Sequence, residues 1–291
     1  MVSHCHKIRF SQLLLLAVLV SSVGFGCTAD LRPDEIRDGG ISAGRADRGR
    51  AIIDGLAEAH GGLERWRELG TARVVLRDTW PSWVTRTAAM PWFEDGQLLE
   101  LTTRLGTDDG RIQFLEAPNE GLYWGIQDWA TYVVEPGSKP TFGDDDTIKF
   151  WVPTVSYFFE APFRLHEADV VAYAGEETVD GVVYDKVFLS WGKAAPQEDT
   201  DQYVAWVSRD TGRLGFLAYT VRDMMDNIEG FMRYTDYEEV EGIWVAKTMA
   251  VVDSTDTMDG LHRMDVESVE LGVDLPNSYF YPDPDRAGSK H

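Results

Sequence analysis

The pattern of apolar and polar positions between residues 179 and 252 predicts a run of β-strands joined by tight turns. Apolar runs rich in β-branched and aromatic residues alternate there with short Gly, Asp and Asn segments, which is typical of an antiparallel meander. The five predicted strands cover residues 182–191, 202–208, 214–221, 231–237 and 243–252. Further strands of the same kind are predicted upstream, at 71–80, 97–105, 111–116, 122–124 and 129–134.

Both faces of the predicted strands are apolar. In the last of them Ile243 and Val245 share one side, whereas Trp244 and Ala246 share the other. A sheet with one face in water would instead alternate apolar and polar residues. We therefore expect helices to cover one face, while the other closes on itself as a barrel or lines an apolar cavity.

Three segments outside the strands have helical patterns. Apolar residues recur at helical spacing over 47–59 and again over 63–69. Residues 144–163 begin with acidic side chains that suit a helix N-terminus, and they are then apolar on nearly every side. Such a helix is expected to be buried, either as a lid over a cavity or as ordinary core filling.

Two stretches of the meander carry a family resemblance. Residues 203–214 and 234–247, with a weaker match over 269–280, resemble the LolA/LolB superfamily of periplasmic lipoprotein carriers and outer-membrane lipoprotein receptors. The resemblance implies an α+β, mainly β fold. Its core would be a half-open antiparallel β-barrel, built as a meander, with short helices plugging the concave side and an apolar interior. These motifs are hairpins and turns, so they indicate a fold and not an activity.

The N-terminus has the features of an export signal. A basic start precedes the apolar run 13–20, and the small residues after it lead to Cys27. We interpret 1–26 as a signal peptide and Cys27 as a lipidated residue carrying acyl chains such as palmitate. The alternative is a plain signal peptide followed by an incidental cysteine. Because Cys5 lies in the signal, the mature chain keeps only Cys27, and an intramolecular disulfide is excluded.

The rest of the chain is interpreted as one domain. Residues 27–46 are polar and Gly-rich after the cysteine and are predicted to form a flexible tether. Residues 47–282 form the single barrel domain of this prediction, and 283–291 form a C-terminal tail. Thr28, not Asp, follows the cysteine, and the resemblance then implies an outer-membrane lipoprotein of the cell envelope that faces the periplasm.

Composition and motifs exclude several functions. The formal net charge of −22 argues against nucleic acid as a partner. Ser190 and Lys193 match a short S-x-x-K pattern, but the serine closes a predicted strand, whereas the penicillin-binding enzymes need it at a helix start. The histidines are too far apart in sequence to suggest a zinc site. We therefore predict no catalytic residue, no metal and no cofactor.

These observations favour a lipid-anchored envelope protein that binds an apolar ligand, such as a lipid, a lipoprotein acyl chain or another amphiphile. The expected lid residues are Trp151, Phe158 and Phe159. The expected wall residues are Trp206, Phe216, Tyr219 and Tyr234. Two alternatives remain open: an envelope scaffold with a filled core and no ligand, and a hydrolase whose site no short motif reveals.

Lipidation of Cys27 is the first testable prediction. The apolar signal and the single remaining cysteine predict that the mature protein begins at an acylated Cys27, and intact-mass measurement of the envelope fraction checks this. A mature N-terminus elsewhere, with a free thiol at Cys27, would remove the membrane anchor from the interpretation.

Overall fold

The structure, a computed structural model, describes residues 28–222, 228–255, 260–283 and 285. The predicted signal peptide, Cys27 and most of the predicted C-terminal tail lie outside these residues. The described strands form one antiparallel sheet. The strands are β1 (Thr71–Thr79), β2 (Gln97–Arg104), β3 (Gly110–Phe114), β4 (Tyr123–Gln127), β5 (Ala130–Val134), β6 (Thr141–Gly143), β7 (Val170–Val179), β8 (Val182–Ser190), β9 (Gln202–Ser208), β10 (Leu214–Thr220), β11 (Glu229–Val240), β12 (Ile243–Val251) and β13 (His262–Leu271).

Six α-helices accompany the sheet in the described part of the chain. They are α1 (Asp34–Gly39), α2 (Ala43–Ala59), α3 (Leu63–Leu69), α4 (Trp83–Ala89), α5 (Asp146–Arg164) and α6 (Asn277–Phe280). None of the helices in the described ranges is both long enough and apolar enough to cross a membrane.

The sheet consists of two meanders joined side by side. Strands β1 to β6 run outwards in chain order on one half, and β7 to β13 return on the other half until β13 pairs with β1. The two ends of the sheet are therefore β6 and β7, and α5 is the segment that connects them. This arrangement takes α5 across the open side of the curled sheet.

Helix α5 is buried along almost its whole length. The Asp145 side chain caps it by accepting hydrogen bonds from Thr147 N (2.9 Å) and Ile148 N (3.1 Å). Of its 19 residues only Asp146 is exposed. Eleven of the others are buried and seven are half-buried, so most of this helix is enclosed by the rest of the protein.

Helix α2 protects the edge of the sheet at β7. The Arg45 guanidinium donates to Tyr173 O at 2.9 Å, which satisfies a carbonyl of this edge strand. A Cβ atom at Gly49 would lie 2.7 Å from Tyr173 N, so only glycine lets the helix approach the strand backbone this closely. An edge strand covered in this way cannot pair with a strand of another molecule.

His60, just after α2, joins the helix to the meander. Its carbonyl accepts from Trp244 N at 2.9 Å, while its ring Nδ1 lies 2.7 Å from Trp244 O. Leu214 N donates to the other ring nitrogen, Nε2, at 3.3 Å, so Nδ1 carries the proton and the ring is neutral. Burial lowers the pKa of His60 to about 4, in agreement with a neutral imidazole.

The predicted fold class is confirmed. The structure is an open, curled antiparallel sheet with helices on its concave side, and β8 to β12 match the five predicted strands of the central meander. The helices predicted over 47–59, 63–69 and 144–163 correspond to α2, α3 and α5. Strands β6, β7 and β13 and helices α1, α4 and α6 were not predicted from the sequence.

The prediction of a flexible tether over 27–46 is wrong for the residues the structure describes. Residues 34–39 form α1, α2 begins at Ala43, and Ile36 is only 2% exposed. Leu31 N donates to Gln202 Oε1 at 3.0 Å, and the Arg222 guanidinium donates to Ala29 O at 2.5 Å. The domain boundary at 47 is therefore too late, because the preceding residues pack on the sheet.

This N-terminal segment, residues 28–42, covers the convex face of β7 to β10. Ile36 packs there in an apolar cluster separate from the one around α5, and Leu31 and Ile41 flank it. The other members of this outer cluster come from the sheet: Ala172, Ala174, Val179, Phe188, Val204, Trp206 and Phe216. Docking of the N-terminal segment thus explains why both faces of these strands are apolar.

Replacing Ile36 tests this docking. Ile36→Ala should lower the free energy of unfolding by about 2 kcal/mol, because it leaves a cavity between α1 and the sheet. Denaturant unfolding measures the change, with the exposed Glu35→Ala as the matched control on the same helix. Equal stability of the two variants would mean that the segment is free in solution.

Candidate functional site

The concave interior around α5 contains two groups of aromatic side chains. The first, the tyrosine group, lies between α5 and strands β9 to β11. The Phe158 and Tyr219 ring centroids are 4.8 Å apart, and Tyr234 Oη donates to Phe158 O at 3.3 Å. Tyr157 packs on Tyr203 at 5.7 Å. Burial raises the pKa of all four tyrosines, so their hydroxyls stay protonated and neutral.

The second, the tryptophan group, lies between α5 and strands β1 to β4. The Trp151 ring centroid is 5.7 Å from that of Trp80 and 5.9 Å from that of Trp92. Trp92 in turn contacts Trp124 at 5.8 Å and Phe114 at 6.0 Å. Large aromatic surfaces of this kind suit contact with an apolar ligand.

A buried carboxylate–imidazole pair lies within the tryptophan group. His262 Nε2 is 2.8 Å from Asp78 Oδ2, and the two side chains are 6% and 0% exposed as residues. The Trp80 ring stacks on the His262 ring at 4.1 Å with an interplanar angle of 14°. Gln97 is the cross-strand neighbour of Asp78 and is also buried. Polar groups therefore occupy one end of an otherwise apolar interior.

Four polar atoms of this region have no hydrogen-bond partner among the described residues. They are Asp78 Oδ1, Gln97 Oε1, Trp80 Nε1 and Trp92 Nε1. A buried polar group left unpaired costs about 1–3 kcal/mol of stability. The protein bears this cost four times over within one cluster, which singles the cluster out from the rest of the core.

A second buried carboxylate, Glu160, attaches α5 to its surroundings. Its Oε2 accepts from Gly106 N at 2.6 Å and from Trp66 Nε1 at 3.3 Å, and its Oε1 accepts from Ser156 Oγ at 3.1 Å. Burial raises the pKa of Glu160 to about 7, although these hydrogen bonds and the nearby Arg164 act to lower it. The anchoring carboxyl of α5 therefore changes its charge near neutral pH.

The seven residues predicted to bind a ligand fall on two faces of the sheet. Trp151, Phe158 and Phe159 lie on α5 within the concave interior, and Tyr219 and Tyr234 face them. Trp206 and Phe216 belong instead to the outer cluster under the N-terminal segment. Their prediction as a wall of the same cavity is wrong, because alternate residues of a strand point to opposite faces.

Sequence reasoning missed several residues of the interior. Asp78, His262, Trp80 and Trp92 carry no local motif, since their proximity depends on the pairing of β1 with β13 and on the β1–β2 connection. Glu160 offered one signal, a carboxyl within the apolar stretch of a helix. A charge at such a position is expected to be paired or to have a shifted pKa.

The described part of the chain contains no group of three or more His, Cys, Asp or Glu side chains placed to hold a metal ion. The Asp78–His262 pair thus stands without a third ligand of these types.

Comparison with solved structures identifies the fold. A domain from Vibrio parahaemolyticus assigned to outer membrane lipoprotein sorting aligns at 13% identity over 81% of this chain and 97% of its own, with a TM-score of 0.54. A DUF1329 family protein from Desulfovibrio piger aligns at 17% identity over 81% of this chain and 97% of its own, with a TM-score of 0.52. A LolA superfamily protein from Nitrosomonas europaea aligns at 15% identity over 77% and 96%, with a TM-score of 0.47.

No family model matches the sequence, and no curated protein matches it. The resemblance to the LolA/LolB superfamily is therefore confirmed as a likeness of fold. This chain has the LolA-like fold, and its function has to be argued from its own interior.

Glu160 generates a prediction about pH. The folded protein keeps the Glu160 proton up to about pH 7, whereas the unfolded chain releases it near the ordinary value of 4.5. This group thus stabilises the fold below pH 4.5, and the contribution is lost as the pH rises to about 7. The loss is about 3 kcal/mol. His60 acts in the opposite sense, because its lowered pKa makes stability fall as the pH drops from 6.5 to about 4.

The two groups offset each other in the wild type, so the variant Glu160→Gln separates them. The stability difference between wild type and Glu160→Gln should fall by about 3 kcal/mol between pH 4.5 and 7, measured by denaturant unfolding at each pH. Glu167→Gln, which replaces an exposed carboxyl just after the end of α5, is the control and should keep the wild-type dependence of stability on pH. A pH-independent difference for Glu160→Gln would contradict the shifted pKa.

Proposed function

We propose that this protein is a lipid-anchored cell-envelope protein that takes up an apolar ligand on the concave side of its sheet. The ligand is a lipid, a lipoprotein acyl chain or another amphiphile, and α5 is the lid that occupies the ligand's place in the closed state. The observation that carries the proposal is α5 itself, a 19-residue helix with one exposed residue, packed against aromatic side chains from both halves of the sheet.

The contacts of α5 suit a movable element. Phe158 and Phe159 are each 7% exposed, so the concave side is filled and an acyl chain could enter only if α5 or a neighbouring loop moved. Polar anchors hold the helix inside, among them the Glu160 carboxyl and the hydrogen bond between Ser156 Oγ and Thr103 Oγ1 at 2.7 Å. An acyl chain replacing the helix would gain about 0.8 kcal/mol for each methylene that it buries.

An apolar path to the interior begins at the β1–β2 connection, residues 80–96, which includes α4. Trp83 and Phe93 of this connection are 71% and 49% exposed. The Phe93 ring is 5.1 Å from that of Phe114 and 5.7 Å from that of Trp124, within the concave side. Exposed aromatic residues that continue into a core favour the binding of an apolar partner at this opening.

The two alternatives are less well supported. A scaffold with a filled core has no reason to retain a titrating carboxyl and four unpaired polar atoms beneath its aromatic residues. For a hydrolase, Asp78 and His262 are the closest approach to an acid–base pair, but Trp80 and Trp151 cover the imidazole. The fold shared with a lipoprotein-sorting domain adds weight to the carrier.

Membrane attachment and location are part of the proposal. Lipidation at Cys27 would anchor the protein in the outer membrane, facing the periplasm, with lipid or lipoprotein as its exchange partner. The net charge of −22 supports an anchor of this kind, because the protein would otherwise be repelled from an anionic lipid surface.

A paired measurement on Phe158→Ala tests the carrier. If Phe158 is only core, the substitution should cost roughly 3–5 kcal/mol of stability. If α5 is a lid, the loss of stability should be smaller than this. The change in the free energy of binding a fluorescent fatty acid should then exceed the change in the free energy of unfolding. Phe216→Ala is the matched control, since it removes an equally buried ring from the opposite face.

The control should lose stability and keep the wild-type probe affinity. The carrier proposal fails if wild type and Phe158→Ala bind no probe and Phe158→Ala shows the full loss expected of a core residue. That result would leave the scaffold.

A further inference from the structure

The tryptophan group contains a set of polar atoms that the apolar-ligand proposal does not use. Asp78 and Gln97 face each other across the β1–β2 pair, and each has one oxygen without a partner among the described residues. Trp80 and Trp92 flank the Trp151 ring, and each has an unpaired indole N–H. All four residues are at most 4% exposed, so bulk water does not reach these atoms.

The hydrogen-bond inventory of this set defines the group that would complete it. The set offers two acceptors, Asp78 Oδ1 and Gln97 Oε1, and two donors, the Nε1 atoms of Trp80 and Trp92. An ammonium group only donates, so it would leave both indoles unpaired. A carboxylate or phosphate only accepts, so it would leave Asp78 Oδ1 and Gln97 Oε1 unpaired. A hydroxyl both donates and accepts, so a group with several hydroxyls can pair with atoms of both kinds.

The surroundings agree with a hydroxylated ligand. The Trp80 and Trp92 rings contact Trp151 while α5 is in place, and once the helix is displaced they offer flat apolar surfaces on which the C–H faces of a polyol can pack. The remaining Asp78 oxygen is engaged by His262 Nε2 at 2.8 Å, which fixes the carboxylate and leaves Oδ1 available. The apolar side chains of α5 continue from this polar end along the concave side, as an acyl chain would.

We propose that Asp78, Gln97, Trp80 and Trp92 form a binding site for the hydroxyl-bearing headgroup of an amphiphile, either a glyceride or a glycolipid. This inference rests on the proposed function, since the acyl chain would follow the path of α5. The headgroup enters when the 80–96 connection swings away from the sheet. That connection is held closed by Asp95, whose carboxylate accepts from Trp80 N at 2.8 Å and from Arg86 Nη1 at 2.6 Å.

A headgroup series on one chain length tests the site. The probes are monolauroylglycerol, dodecyl glucoside, laurate and dodecyltrimethylammonium, each below its micelle concentration and measured by isothermal titration calorimetry. We expect the two hydroxylated probes to bind about tenfold more tightly than the two ionic ones, equivalent to about 1.4 kcal/mol. The ratio between glyceride and glucoside then identifies which source of hydroxyls the site prefers.

Variants assign the preference to these residues. Trp92→Phe with Gln97→Leu removes one donor and one acceptor while keeping apolar side chains, so the headgroup preference should vanish and chain binding should persist. Trp124→Phe, in the same aromatic group and half-buried, is the control that should keep the preference. Circular dichroism checks that each variant is folded, and a second double variant, Trp92→Phe with Gln97→Met, replaces any that is not.

The outcomes are distinct. Equal affinity for all four probes, or tighter binding of the ammonium probe, overturns the headgroup site and leaves the apolar-ligand proposal standing. A preference that survives in a folded double variant overturns the assignment to Trp92 and Gln97. Failure of every probe to bind overturns the proposed function and this inference together.

Discussion

The rest of the structure depends on enclosing one largely apolar helix. Helix α5 connects the two ends of the sheet, β6 and β7, so the chain cannot place it at the periphery. Its apolar side chains must leave water, and only a sheet curled around it supplies enough surface on both sides. The tyrosine group on one half and the tryptophan group on the other are the two contacts that this enclosure produces. The open edge is then closed by α2 along β7.

Much of this fold could be predicted from the sequence because its strands are long and punctuated by Gly and Asp turns. The burial of α5 was also predictable, since its composition allows no wet face. Which face of each strand points to the concave side of the sheet could not be predicted. Phe216 and Tyr219 are three residues apart on β10, so the sequence alone places them on opposite faces, but both strand faces are apolar and no pattern marks the concave one.

The polar end of the interior could not be predicted for a different reason. Asp78 and Gln97 come together through strand register, and His262 reaches Asp78 from β13, which is 184 residues away in sequence. The N-terminal segment was misinterpreted because Leu31, Ile36 and Ile41 follow neither the helical nor the strand period. The segment is ordered by packing against the outer cluster of the sheet, and its own composition does not indicate that surface.

The docking of residues 28–42 on the convex face has a geometric consequence for a chain acylated at Cys27. A flexible linker of about 20 residues would have a root-mean-square reach of about 25 Å, letting the domain turn freely above the bilayer. Here Ala29 and Leu31 are already hydrogen-bonded to Arg222 and Gln202. Only one residue, Thr28, would therefore separate an acylated Cys27 from the folded domain. Such a protein would have a restricted orientation relative to the lipid surface.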